Sequence, residues 1–206
     1  MSKKAPRRPS VLTIIAIAAV IAIGGVLALR WTEMSADRAR GVASGEALIG
    51  GPFTLTDQSG RAVTDQTYAG RLMLVYFGYT YCPDVCPTDL QKISATLEML
   101  GDDADKVAPV FITVDPERDT VDQMARHLTL FDSRINGLTG TPEQIAAAAK
   151  AYRVYYQAVR DDASASDYLV DHSAFIYLMD REGRYLTHFS RGDTPETMVE
   201  AIRAGL

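Results

Sequence analysis

The two cysteines of the chain, Cys82 and Cys86, stand four positions apart in the stretch Tyr76–Leu90, YFGYTYCPDVCPTDL, and a proline follows each of them. Three chemistries use such a pair: a structural disulfide, a redox couple, or part of a metal site. A bridge closing so short a loop removes little entropy from the unfolded chain. The thioredoxin redox spacing is C-x-x-C, and the extra residue here widens the gap between the sulfurs enough to admit an ion. Pro87 biases Cys86 away from the right-handed helical region and suits a first helical turn. The pair is therefore expected in a strand-to-helix loop, with Cys86 at or beside the N-cap, where the helix N-terminus favours thiolate.

A third ligand would favour metal over redox chemistry, and three histidines are available: His127, His172 and His188. His127 lies inside a helical pattern and reads as a surface or partly buried side chain. His188 ends a strand. His172 directly follows Asp171 and precedes an apolar strand. Two thiolates and one imidazole form a soft, three-coordinate set that suits Cu(I), whereas zinc normally takes a fourth ligand. Asp171 is a candidate to hydrogen-bond a ring nitrogen and fix the tautomer of His172; the plainer alternative is a strand-end carboxylate. Met73, Met99, Met124 and Met179 fall on apolar stripes and read as core. Asp115-Pro-Glu-Arg-Asp-Thr120 follows a buried strand, so its acids either shape the rim of a site or, at Asp119 or Thr120, cap the next helix. The sequence contains no Gly-rich phosphate loop and no nucleophile elbow, and its cysteines lack the P-x-x-x-[TS]-x-x-C setting of a peroxidatic thiol.

The elements that must position these groups can be read from periodicity. Phe53–Thr56 and Ala62–Thr64 flank a turn, Asp57–Gly60, and predict a hairpin. The continuous apolar runs Leu72–Phe77 and Val107–Val114 predict strands buried on both faces. Leu90, Ile93, Leu97 and Leu100 predict a helix over 87–100, and Met124, Leu128 and Phe131 another over 120–131. Thr141-Pro-Glu-Gln144 is a capping box with proline at the first helical position. Ala174–Met179 and Tyr185–Phe189 predict a second hairpin, and Thr194-Pro-Glu196 opens a last helix to about Ala204. Buried strands alternating with helices, followed by ββα, predict an α/β domain: a thioredoxin-like central sheet flanked by helices. In such a fold the segment entering the late hairpin passes close to the cysteine loop, which raises His172 above the other histidines.

Charge is distributed unevenly. Five of the 21 basic residues and none of the 26 acidic ones lie in residues 1–30, leaving a formal −10 on the remainder. An acidic domain with no basic cluster is a poor nucleic-acid binder. Val11–Leu29 holds no charge and matches the roughly 20 apolar residues that span a bilayer, longer than a signal-peptide core. The expected organisation is a cytoplasmic tail (1–10), one transmembrane helix (11–30), a linker (31–50) and the α/β domain (51–206). Lys3, Lys4, Arg7 and Arg8 keep the N-terminus in the cytoplasm. The cysteines then lie outside it, in a compartment that permits disulfides.

Three blocks, FGYTYCPDVCPTDL (77–90), VDPERDT (114–120) and VDHSAFIYLMD (170–180), resemble the signature segments of the Sco/SenC family. The resemblance covers roughly 51–206 and implies a thioredoxin-like fold that binds copper, Cu(I) and also Cu(II), through residues matching Cys82, Cys86 and His172. It further implies work on the CuA centre of cytochrome c oxidase subunit II, by donating copper, by reducing the target cysteines, or both. The partners so implied are that subunit as acceptor and an upstream periplasmic copper donor. Without a long Arg- and Ser-rich presequence a bacterial member is expected, single-pass in the inner membrane with its C-terminal domain in the periplasm.

Overall fold

The computed structural model describes residues 49–159 and 168–206. Strands β1 (Thr54–Asp57) and β2 (Ala62–Thr64) form the expected hairpin. β3 (Leu72–Gly78) and β4 (Val107–Thr113) are buried at every position and pair in parallel from Leu72↔Val107 to Gly78↔Thr113. Helix α1 (Val85–Leu100) connects them, with Leu90, Ile93, Leu97 and Leu100 on its buried face. Helix α2 (Val121–Leu128) leads into β5 (Asn136–Thr139), and α3 (Pro142–Ala151) follows behind the predicted Thr141–Gln144 capping box. β6 (Tyr156–Val159) and β7 (Leu169–His172) pair antiparallel as a separate two-stranded ribbon. β8 (Ile176–Met179), β9 (Tyr185–Phe189) and α4 (Pro195–Gly205) complete the chain. The main sheet runs β2-β1-β5-β4-β3-β8-β9, parallel at its centre and antiparallel toward both edges.

Three strands depart from the sequence expectation. β5 carries an Asn and a Gly, both poor strand formers. It forms because β1 and β4 pair with it on either side and because Gly137 lets α2 lie close: a Cβ there would sit 2.4 Å from Leu128 Cδ1. β6 and β7 are short and mostly unburied, so neither shows the apolar alternation of a core strand. Helix α1 starts at Val85 with Asp84 at its N-cap, which puts Cys86 inside the first turn rather than at the cap. Among the methionines, Met73, Met124 and Met179 are buried as expected, while Met99 is 44% exposed.

The predicted transmembrane helix, cytoplasmic tail and nearly all of the linker lie outside the described residues. Among the described residues no helix is long and apolar enough to cross a membrane.

One buried carboxylate fastens the carboxyl ends of the central strands. Asp119, fully buried, accepts hydrogen bonds from Thr80 N–H (3.0 Å), Thr80 Oγ1 (2.6 Å) and Thr113 Oγ1 (2.6 Å). Its own carbonyl accepts from Thr139 Oγ1 at 2.7 Å. Burial pushes the Asp119 carboxyl upward, while the Thr113 and Thr80 donors favour its charge. Of the two cap candidates, Thr120 caps α2: its Oγ1 accepts from Gln123 N–H. Removing the carboxylate strands three donors in the interior, each at a cost of about 1–3 kcal/mol when unsatisfied. Asp119→Ala is expected to lower unfolding stability by roughly 2–4 kcal/mol, read from urea denaturation. A loss within the ~0.5 kcal/mol typical of surface substitutions would show that the clamp carries no load.

Candidate metal centre

The loop after β3 and the first turn of α1 carry the two sulfurs. Cys82 is half-buried and Cys86 fully buried, and the two are not bonded to each other. Cys86 N–H, one of the free donors of the helix start, donates to Cys82 Sγ at 3.4 Å. His172, the last residue of β7, brings its Nε2 to 3.4 Å from Cys86 Sγ. The ligand atoms of Cys82, Cys86 and His172 all lie within 4.8 Å of one another. On the other side of the imidazole, Nδ1 lies 3.2 Å from the Ser173 carbonyl oxygen. A carbonyl only accepts, so Nδ1 carries the proton and Nε2 turns its lone pair toward the sulfurs.

The two thiols titrate as a pair. The Cys86 thiol holds Cys82 far below the ordinary thiol range, at about 3; the backbone N–H groups of Asp84 and Cys86 act in the same direction, against the opposing effect of burial. Its interaction with Cys82, together with burial, pushes Cys86 far upward. The direction of both shifts favours thiolate at Cys82 and thiol at Cys86, whose sulfur faces His172 Nε2. A soft cation entering among these three atoms displaces the thiol proton.

Two further features bring the parts together. The first is the absence of a side chain at Gly78. A Cβ there would fall 2.9 Å from Cys86 Sγ, 3.0 Å from Phe111 Cε2 and 3.1 Å from Tyr76 Cε1, so only glycine lets the sulfur sit against the end of β3. The second is the set of contacts that hold the ribbon carrying His172. Val170 N–H donates to the Tyr79 hydroxyl at 3.2 Å. Arg118 Nη1 donates to the Tyr168 carbonyl at 2.9 Å, and its guanidinium lies 3.6 Å from the Tyr168 ring centroid and 5.1 Å from that of Tyr81. Asp115 pairs with Arg118 and accepts from the Tyr168 hydroxyl at 2.7 Å. The imidazole of His172 meets the Tyr76 and Tyr79 rings edge-on, at 6.3 and 5.9 Å between centroids.

The other candidates fall elsewhere. His127 is half-buried between Phe111 and Phe131. His188 is exposed beside Phe175, with Nδ1 2.5 Å from the Tyr185 hydroxyl. Asp171 is exposed and pairs across the ribbon with Gln157; the ring contact expected of it is made by the Ser173 carbonyl, because successive residues of a strand point to opposite faces. Sequence reasoning missed Gly78, Arg118 and Tyr168, as well as the clamp at Asp119. The signal available was the co-occurrence of charged and aromatic residues in the VDPERDT and YLVDH blocks.

The SCO1/SenC family model matches residues 41–206. The chain belongs to the SCO1/SenC family. Protein SenC of Rhodobacter capsulatus is 42% identical over 192 residues, covering 91% of this chain and 86% of that protein. Protein sco1 of Schizosaccharomyces pombe is 44% identical over 160 residues, 77% of this chain and 61% of that protein. The chain spans 61%, 48% and 57% of the fission-yeast, Arabidopsis thaliana and budding-yeast relatives. Among solved structures, Bradyrhizobium japonicum ScoI with copper bound is 50% identical, with a TM-score of 0.71 over 77% of this chain and 99% of that one. The architecture is accordingly the thioredoxin-like α/β fold of the Sco proteins, and its Cys-Cys-His group can hold a metal ion.

Two outcomes check this geometry. Thiolate is the reactive form, and a depressed pKa preserves it until the pH falls through that pKa. Cys82 is expected to alkylate with iodoacetamide at pH 5 within about twofold of its rate at pH 7, whereas an ordinary thiol slows about tenfold per unit. Cys86 should stay unmodified, and peptide mapping distinguishes the two. Gly78→Ala should cost about 1–3 kcal/mol through overpacking and displace the Cys86 sulfur, seen as a lower thermal midpoint together with weakened metal binding.

Proposed function

We propose that this chain is a membrane-anchored periplasmic copper chaperone for cytochrome c oxidase assembly. Residues 1–10 form its cytoplasmic tail, 11–30 its anchor, 31–50 its linker and 51–206 its copper-binding domain. One observation carries the reading: two sulfurs and an imidazole nitrogen gather within 4.8 Å of one another. That donor set suits Cu(I), and the ScoI relative is solved with copper bound. Cys82, Cys86 and His172 are the proposed ligands. Copper is the cargo, taken from an upstream periplasmic donor and passed by ligand exchange to the CuA site of oxidase subunit II. Tethering to the membrane raises the effective concentration of the domain near a membrane-bound acceptor. Cu(II) binding at the same donors is part of the proposal.

A second reading has its own support. Cys82 is partly exposed and favours thiolate, whereas Cys86 is buried and keeps its proton. That division suits an attacking and a resolving thiol, and so a reductase for the acceptor's cysteines.

The discriminating experiment replaces His172 with Ala and titrates Cu(I) against a competing chelator. The expected result is a loss of affinity at or beyond the roughly 10–100-fold that losing even an outer-shell partner of a ligand costs, with X-ray absorption of the unmodified protein showing two sulfurs and one nitrogen. Unchanged affinity, combined with a Cys86→Ser variant that traps a mixed disulfide, would leave only the reductase.

A further inference from the structure

Tyr76 is 0% exposed, in the middle of a strand whose every residue is buried. A phenylalanine would fill the same space without desolvating a hydroxyl, and an unpaired buried hydroxyl is unfavourable. The Tyr76 hydroxyl nevertheless has no hydrogen-bond partner. Its setting shows what the hydroxyl serves. Tyr76 and Gly78 share one face of β3, and the point where a Gly78 Cβ would stand is 3.1 Å from Tyr76 Cε1 and 2.9 Å from Cys86 Sγ. Phenol edge and sulfur therefore pack against the same backbone hydrogen. The ring also meets His172 edge-on. A neutral thiol is a weak acceptor; a metal-bound thiolate is a far better one.

We infer that, in the copper-loaded protein, the Tyr76 hydroxyl donates a hydrogen bond to the Cys86 sulfur and thereby tunes the site toward Cu(I). The inference rests on the copper reading proposed above and adds a residue to it. A hydrogen bond to a coordinated thiolate withdraws electron density from the sulfur, and hydrogen bonding around a cysteine ligand shifts the potential of a copper site. The effect falls hardest on Cu(II), which depends most on donation from sulfur. The rival acceptor is Asp89 Oδ2, in the next turn of α1. It too is buried and unpartnered, while Oδ1 pairs with Lys92 at 3.3 Å.

The test compares the full chain with its Tyr76→Phe and Asp89→Asn variants. It reads the sulfur-to-Cu(II) charge-transfer band and the ratio of Cu(II) to Cu(I) affinities. Tyr76→Phe is expected to move the band to lower energy and to raise that ratio about tenfold, the effect of one charge-assisted hydrogen bond. Asp89→Asn should leave the band in place. An unmoved band in Tyr76→Phe, or a shift confined to Asp89→Asn, overturns the assignment. A measurement on the unmodified chain holds even where a variant fails to fold: with 13Cζ-labelled tyrosine, adding Cu(I) should move the Tyr76 resonance, and a static resonance overturns the inference. Failure of the unmodified chain to bind copper would instead sink the function proposed above, so the two failures are distinguishable.

Discussion

The Asp119 carboxylate, buried at the carboxyl end of the central strands, is the constraint on which the rest of the site depends. It binds Thr80 by both backbone and side chain, and Thr113 by its hydroxyl. Thr80 stands two residues before Cys82, so the start of the cysteine loop is fixed relative to β4 by three short hydrogen bonds. An interior carboxylate left unpaired would be strongly unfavourable, and here every bond that satisfies it also positions the loop. The same connection after β4 supplies Asp115 and Arg118, which hold the Tyr168 end of the ribbon. One short segment, VDPERDT, thus braces both halves of a site to which it contributes no ligand.

Electrostatics then divides the two sulfurs. They differ in burial and in proton occupancy, yet only four positions separate them. The first turn of α1 contributes its N–H groups to Cys82, and the interior withholds solvent from Cys86. The three donors gather within 4.8 Å of one another, a space that suits a monovalent soft cation. The site charge after it binds stays near −1, which the partial positive charge of the helix N-terminus offsets in part.

Much of this was legible in the sequence, for identifiable reasons. Leu72–Gly78 and Val107–Thr113 announced themselves because strands buried on both faces need no alternation. The Thr141–Gln144 box and the Thr194-Pro195 start were legible because capping is local chemistry. β5 was not, because its pairing comes from β1 and β4 rather than from Asn136 and Gly137 themselves. The three metal-site candidates were legible by residue type, and the late position of His172 followed from the order of elements. What the chain order hid was support. Asp119 looked like a helix cap because its partners Thr80 and Thr113 lie 39 and 6 residues away. Asp171 looked like the orienter of His172 because adjacency in sequence suggests contact, whereas strand geometry turns neighbours apart.

The ribbon of β6 and β7 forms hydrogen-bonded pairs only within itself and stands apart from the seven-stranded sheet. Two of the three donors are therefore mounted on the sheet and α1, and the third on a small, separately laddered arm. Separating the imidazole from the sulfurs need break no ladder of the main sheet; among the described residues it strains the fastenings at Tyr79, Arg118 and Asp115 and the packing of Val170 against the core. The nitrogen side of the pocket is consequently the seam at which the three groups can part while the seven-stranded sheet stays intact.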